Sequence, residues 1–193
     1  MNKLEDMLKG LNIGENITLE ELPKIDLYMD QVIQIFEGKF SDSIRNEEEK
    51  ILTKTMINNY AKNNLMIPIK NKKYSLEHLI LISIIYQLKG ALSINDIKNL
   101  LTPINDMLEK DKSFSIKELY SSYLNLFNQQ VKEFSEDIMS KAKDVEEELK
   151  DKDSLKSDFT EKFLLITSFI TMSNFYRRIA EKIIDDVTSS GDK

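Results

Sequence analysis

Five polar side chains between residues 54 and 62 have the types and spacing to read a duplex. Lys54, Thr55, Asn58, Asn59 and Lys62 fall one, three or four residues apart, so a helix would place them on one side. Asparagine can pair bidentately with adenine, lysine reaches guanine or phosphate, and threonine meets a phosphate or a thymine methyl. Ile57 and Tyr60 share another edge, with Ile57 turned to the core and Tyr60 near enough to the rim to touch a phosphate. Just downstream, Lys70, Lys72 and Lys73 put three cations into four residues, and each phosphate they neutralised would steepen the salt dependence by about 0.9 in log–log slope. The competing reading is a solvated helix face followed by a lysine-bearing surface turn.

Other chemistry is scarce. The 193 residues include no cysteine, which removes disulfides, thiolate metal sites and cysteine nucleophiles. One histidine, His78, excludes a His pair and reads as a capping or partly buried side chain. With 5 Gly and 3 Pro, the chain lacks the glycine turns of Rossmann and P-loop sites. The acid runs Glu47 to Glu49 and Glu146 to Glu148 read as solvated faces. No enzyme, metal or cofactor is expected.

The formal net charge is −6, yet from Lys50 to Leu101 eight lysines face only Glu77 and Asp96. A basic middle between acidic flanks exerts its own field within a Debye length of about 8 Å. The longest apolar runs, Leu79 to Leu88 and Phe163 to Met172, are too short for the roughly 20 residues of a membrane span, and the opening residues do not read as a secretion signal. A cytoplasmic protein with no membrane partner is expected.

Hydrophobic spacing then supplies the elements. Thr18 to Glu21 with Pro23 resembles a helix start, and Leu27 to Phe36 is an amphipathic helix. Residues 37 to 50 read as a loop. Thr53 or Thr55 caps a helix to about Lys62 that Asn63 and Asn64 close. Ile69 to Tyr74 is a tight turn or small hairpin. Ser75 opens a helix to Lys89, and Ser93 opens a short one that Pro103 ends. Two long helices follow, about 115 to 150 and 153 to 187, joined by DKDSLKSD. The stripes at helical spacing, Leu119 to Phe134 and Phe159, Phe163, Ile166, Ile170, Ser173 and Arg177, read most simply as core; a dimer interface and an apolar effector pocket remain alternatives.

This order of elements resembles a MerR-type winged helix-turn-helix, and INNYAKNNLMIP and KYSLEHLILISIIYQLKGALSINDIKNLL are similar to that class's second helix and the segment after its wing. Asn58 and Asn59 stand where that pattern has an arginine and an aromatic, so phosphate grip would rest on the lysines and Tyr60. LPKIDLYMDQVIQIF, ILTKTMINNYAKNNLMIP and KKYSLEHLILI together resemble the bacterial domain of unknown function 1836. The resemblance covers about residues 20 to 105.

The expected architecture is mainly α: a helical segment at 1–19, a MerR-like winged helix-turn-helix at 20–105, a helical hairpin or bundle at 106–187 for dimerisation or sensing, and a disordered tail at 188–193. The expected function is a homodimeric transcription regulator that binds duplex DNA, open to a small-molecule effector. The alternative is a non-catalytic adaptor that turns its basic face to an acidic protein.

Overall fold

The computed structural model of the chain describes residues 2–46 and 48–191. Helix α1 (Asn2–Gly10) is followed by an irregular segment, strand β1 (Leu27–Tyr28) and helix α2 (Met29–Phe40). Helix α3 (Lys54–Lys62), strand β2 (Lys73–Tyr74), and helices α4 (Leu76–Leu88) and α5 (Ile94–Lys110) complete the first half. Two 34-residue helices, α6 (Ile116–Leu149) and α7 (Asp158–Gly191), make up the rest. The chain is mainly helical, as its composition and periodicity imply.

Helix α4 is the hub. Apolar around most of its circumference, it buries every residue from His78 to Ser83 and then Ile85, the pattern of a helix enclosed by protein. Tyr86 extends this packing to α2, stacking on Phe40 at 4.3 Å between centroids and meeting Phe36 edge-on at 6.0 Å. Strand β1 pairs antiparallel with β2, Leu27 opposite Tyr74 and Tyr28 opposite Lys73. The N-terminal segment is pinned to α6 by Tyr120, whose hydroxyl donates to the Ile17 carbonyl at 2.6 Å, and by Asn16, whose amide donates to the Tyr123 hydroxyl at 3.1 Å. Burial pushes the Tyr120 hydroxyl up to about 12.

Several boundaries differ from expectation. Thr18 to Pro23 form no helix; the Glu21 carboxylate accepts the Thr18 backbone N–H at 2.7 Å in an irregular segment instead. Leu27 belongs to β1. Helix α2 continues past Gly38 because burial of Phe40 rewards another turn, and a 3-10 turn (Ser41–Ser43) follows it. Pro103 lies inside α5: Ile97, Leu101, Ile104 and Leu108 keep one apolar stripe against the core, which offsets the hydrogen bond that proline removes. The second long helix starts at Asp158, after a 3-10 turn (Asp153–Leu155), and runs to Gly191, so residues expected as a disordered tail are helical up to that point; residues 192 and 193 lie outside the described residues.

Candidate nucleic-acid interface

Helix α3 is set by local chemistry at both ends. Thr53 Oγ1 accepts the Met56 amide at 3.1 Å, satisfying a first-turn donor. At the other end Asn64 takes φ 56°, and the Leu65 amide reaches back to the Tyr60 carbonyl at 3.0 Å, the left-handed closure that asparagine tolerates. Ile57 and Tyr60 are buried at 0% and 4% exposure and fix the helix's rotation. Lys54, Thr55, Asn58, Asn59 and Lys62 are consequently all exposed on its outer side.

Tyr60 is the correction in this group. It falls three residues from Ile57 on the inner face, burial raises its hydroxyl pKa, and it cannot reach a phosphate. Two other side chains are partly engaged. Lys54 lies 2.7 Å from Asp30 at the start of α2, an exposed pair worth at most about 1 kcal/mol. Asn59 Oδ1 accepts from the Asn63 amide at 2.9 Å, so bidentate pairing with a base would exchange that bond for a new one.

The lysine run forms a two-residue reverse turn. The Lys73 amide donates to the Lys70 carbonyl at 2.9 Å, and Asn71 and Lys72 between them have φ 53° and 58°. Positive φ at both central residues is the type I′ pattern, in which glycine is favoured at the second. Lysine there stands in a conformation that costs about 1–2 kcal/mol relative to the ordinary helical region. Lys70 and Lys72 are exposed, and Lys73 is half-buried with its ammonium 5.6 Å from the centroid of the Tyr28 ring.

Tyr28 and Asp30 bring the two basic elements to a common edge. Lys73 rests over Tyr28 and Lys54 pairs with Asp30, two residues further on, so the N-terminus of α3 and the base of the turn flank the same β1–α2 junction. Sequence reading missed Tyr28, 56% exposed, because it assigned Leu27 and the residues after it to one amphipathic helix. Its aromatic type between two apolar neighbours was the available signal.

His78 orients the path into the turn. Nδ1 accepts the Ser75 amide at 3.1 Å, which leaves the proton on Nε2 to donate to the Ile67 carbonyl at 3.1 Å. Burial holds its pKa below the ordinary imidazole value. It is a buried side chain that caps α4, in line with its place at the start of that helix. Beside this path, a groove of about 530 Å³ lies between Asn64–Ile69 and α5, and the Asn105 Oδ1 at its wall has no hydrogen-bond partner. Among the described residues, no three metal-ligating side chains converge, and no helix is long and apolar enough to cross a membrane. Of the acid runs, Glu48, Glu49 and Glu146 to Glu148 are exposed, and Glu47 lies outside the described residues.

The fold and this edge define a mainly helical domain closed by a two-stranded ladder. A family described as domain of unknown function (DUF1836) matches residues 17–123, more than half of the chain, and the chain belongs to that family. Its limits coincide with the hydrogen bonds joining Asn16 and Ile17 to Tyr120 and Tyr123. No curated protein and no solved structure matches the chain.

Proposed function

We propose that the chain binds duplex DNA, with α2 and α3 acting as a helix-turn-helix, the Lys70–Lys73 turn as a short wing, and regulation of transcription as the outcome. The observation that carries this reading is the common edge: α3 offers Asn58, Asn59, Thr55 and two lysines outward, and the turn adds cations to the same side of β1 and α2. Lys72 adds weight, since a cation held at positive φ, where glycine would be relaxed, is the kind of local strain that accompanies function. Base contacts fall to Asn58, Asn59 and Thr55; phosphate contacts fall to Lys54, Lys62, Lys70, Lys72 and Lys73.

Polarisation titration with a labelled random duplex at two salt concentrations tests it. Binding should weaken steeply with salt, and Lys70→Ala with Lys72→Ala should lower the log–log slope by about 1.8. Asn58→Ala should chiefly alter sequence preference once a preferred site has been selected. Absence of any salt-sensitive association overturns the proposal. The net charge of −6 and Asn58 where the helix-turn-helix pattern has an arginine favour a second reading, an adaptor for an acidic protein; that reading predicts no DNA binding at any salt.

A further inference from the structure

Helix α7 carries apolar residues on two opposite sides, and the chain covers only one side at a time. In its first half Leu164, Leu165, Ser168 and Met172 are half-buried on the side that meets α6, while Phe159, Phe163, Ile166 and Ile170 on the far side are 76%, 53%, 60% and 58% exposed. In its second half Ile184 is buried, and Tyr176, Ile179 and Ile183 are between 56% and 66% exposed. Solvated helix faces are normally charged, yet between Asp158 and Arg177 the only charges are Glu161 and Lys162.

We propose that the Phe159–Ile170 face is the dimer interface of this protein, covered by the same face of a second copy running antiparallel. The spacing of its four side chains, 4–3–4, is a palindrome. A two-fold axis midway between residues 164 and 165 therefore sets Phe159 against the second copy's Ile170 and Phe163 against its Ile166, a self-matching arrangement of the kind two-fold interfaces require. Exposed Thr167 and Ser173 flank the face, and the cations nearest it, Lys162 and Arg177, are each paired with a carboxylate, Asp158 and Glu181, and do not form a belt of the kind that seats a helix on anionic lipid. The four side chains offer on the order of 500 Å² of apolar surface per copy. That reaches the size of the largest patches tolerated by monomers, and doubling it with the polar rim exceeds the roughly 1,000 Å² needed for a specific interface. The inference stands independently of DNA binding.

Sedimentation velocity on the full chain at micromolar concentration should give about 45 kDa, twice the 22.5 kDa of one copy. Phe163→Glu alone and Ile166→Lys alone should each weaken association by about 100-fold or more, and combining them in one chain should restore it, because each introduced charge then faces its opposite across the axis. Circular dichroism checks that each variant keeps its helix content. Because the chain has no cysteine, Phe159→Cys mixed with Ile170→Cys gives an independent reading of register. The mixed disulfide should form faster than either single-variant disulfide. A monomeric mass at about 100 µM, vesicle binding in place of self-association, an unaltered dimer in Phe163→Glu, or faster 159-to-159 linkage overturns the proposal.

Discussion

The region from Ile17 to Tyr123 and the α6–α7 hairpin beyond it solve the burial problem differently. The first encloses a central set of large apolar side chains: Phe36, Ile57, Leu79 and Leu81 are all at 0% exposure around α4. In the hairpin Ile138, Ala142, Val145 and Leu149 of α6 are buried and α7 also packs on α5, while the Phe159–Ile170 side of α7 keeps phenylalanines and isoleucines in water. At roughly 50 Å each, its helices are the longest elements among the described residues. A well-enclosed core thus adjoins an element with an uncovered apolar face. Stability should be concentrated in the former and association in the latter.

Paired alanine substitutions test that division most severely. Phe36→Ala should cost about 3–5 kcal/mol in urea unfolding, whereas Ile166→Ala should cost under about 0.5 kcal/mol in dilute protein and show itself in the mass instead. A large unfolding penalty for Ile166→Ala in a monomer would erase the contrast. Tyr120→Phe removes the donor to the Ile17 carbonyl and should cost about 1–3 kcal/mol, since a buried acceptor loses its partner; a neutral result would mean that packing and the Asn16–Tyr123 hydrogen bond hold the N-terminal segment without it. Lys72→Gly should go the other way, raising stability by about 1 kcal/mol while lowering the DNA salt slope by about 0.9, a trade that marks the turn as shaped for binding. Acidification is the gentlest perturbation. Because burial depresses His78, the folded state takes up its proton at lower pH than the unfolded state. Its contribution is therefore present above about pH 6.5 and is lost as pH falls through the folded value. His78→Gln should flatten this part of the stability–pH profile, and an unchanged slope would assign the acid sensitivity elsewhere.

Much of the fold was readable because local signals agreed. Thr53, Ser93 and Ser115 cap helices as their types imply, and the Asn63–Asn64 pair closes α3. The Lys70–Lys73 turn was legible from its brevity and polarity. What could not be read depends on partners distant in sequence. Gly38 and Pro103 look like breakers until Phe40 finds Tyr86 and the α5 stripe finds the core. Tyr60 looks like a rim residue until Ile57 fixes the helix's rotation. The stripe at Phe159 to Ile170, expected as core, is exposed because periodicity announces an apolar face without saying which molecule covers it. The candidate DNA contacts on α3 were legible as a set, since five polar side chains at helical intervals leave one another on the same side.

The β1–β2 ladder has a kinetic corollary. Its two residue pairs close a loop that contains both α2 and α3, and closing a loop of that length costs several kcal/mol of chain entropy, more than so short a ladder returns. The strands can therefore join only after those helices have docked on α4. The turn at Asn71 and Lys72 should accordingly be among the last parts to order during refolding, and its amides among the earliest to exchange with deuterium.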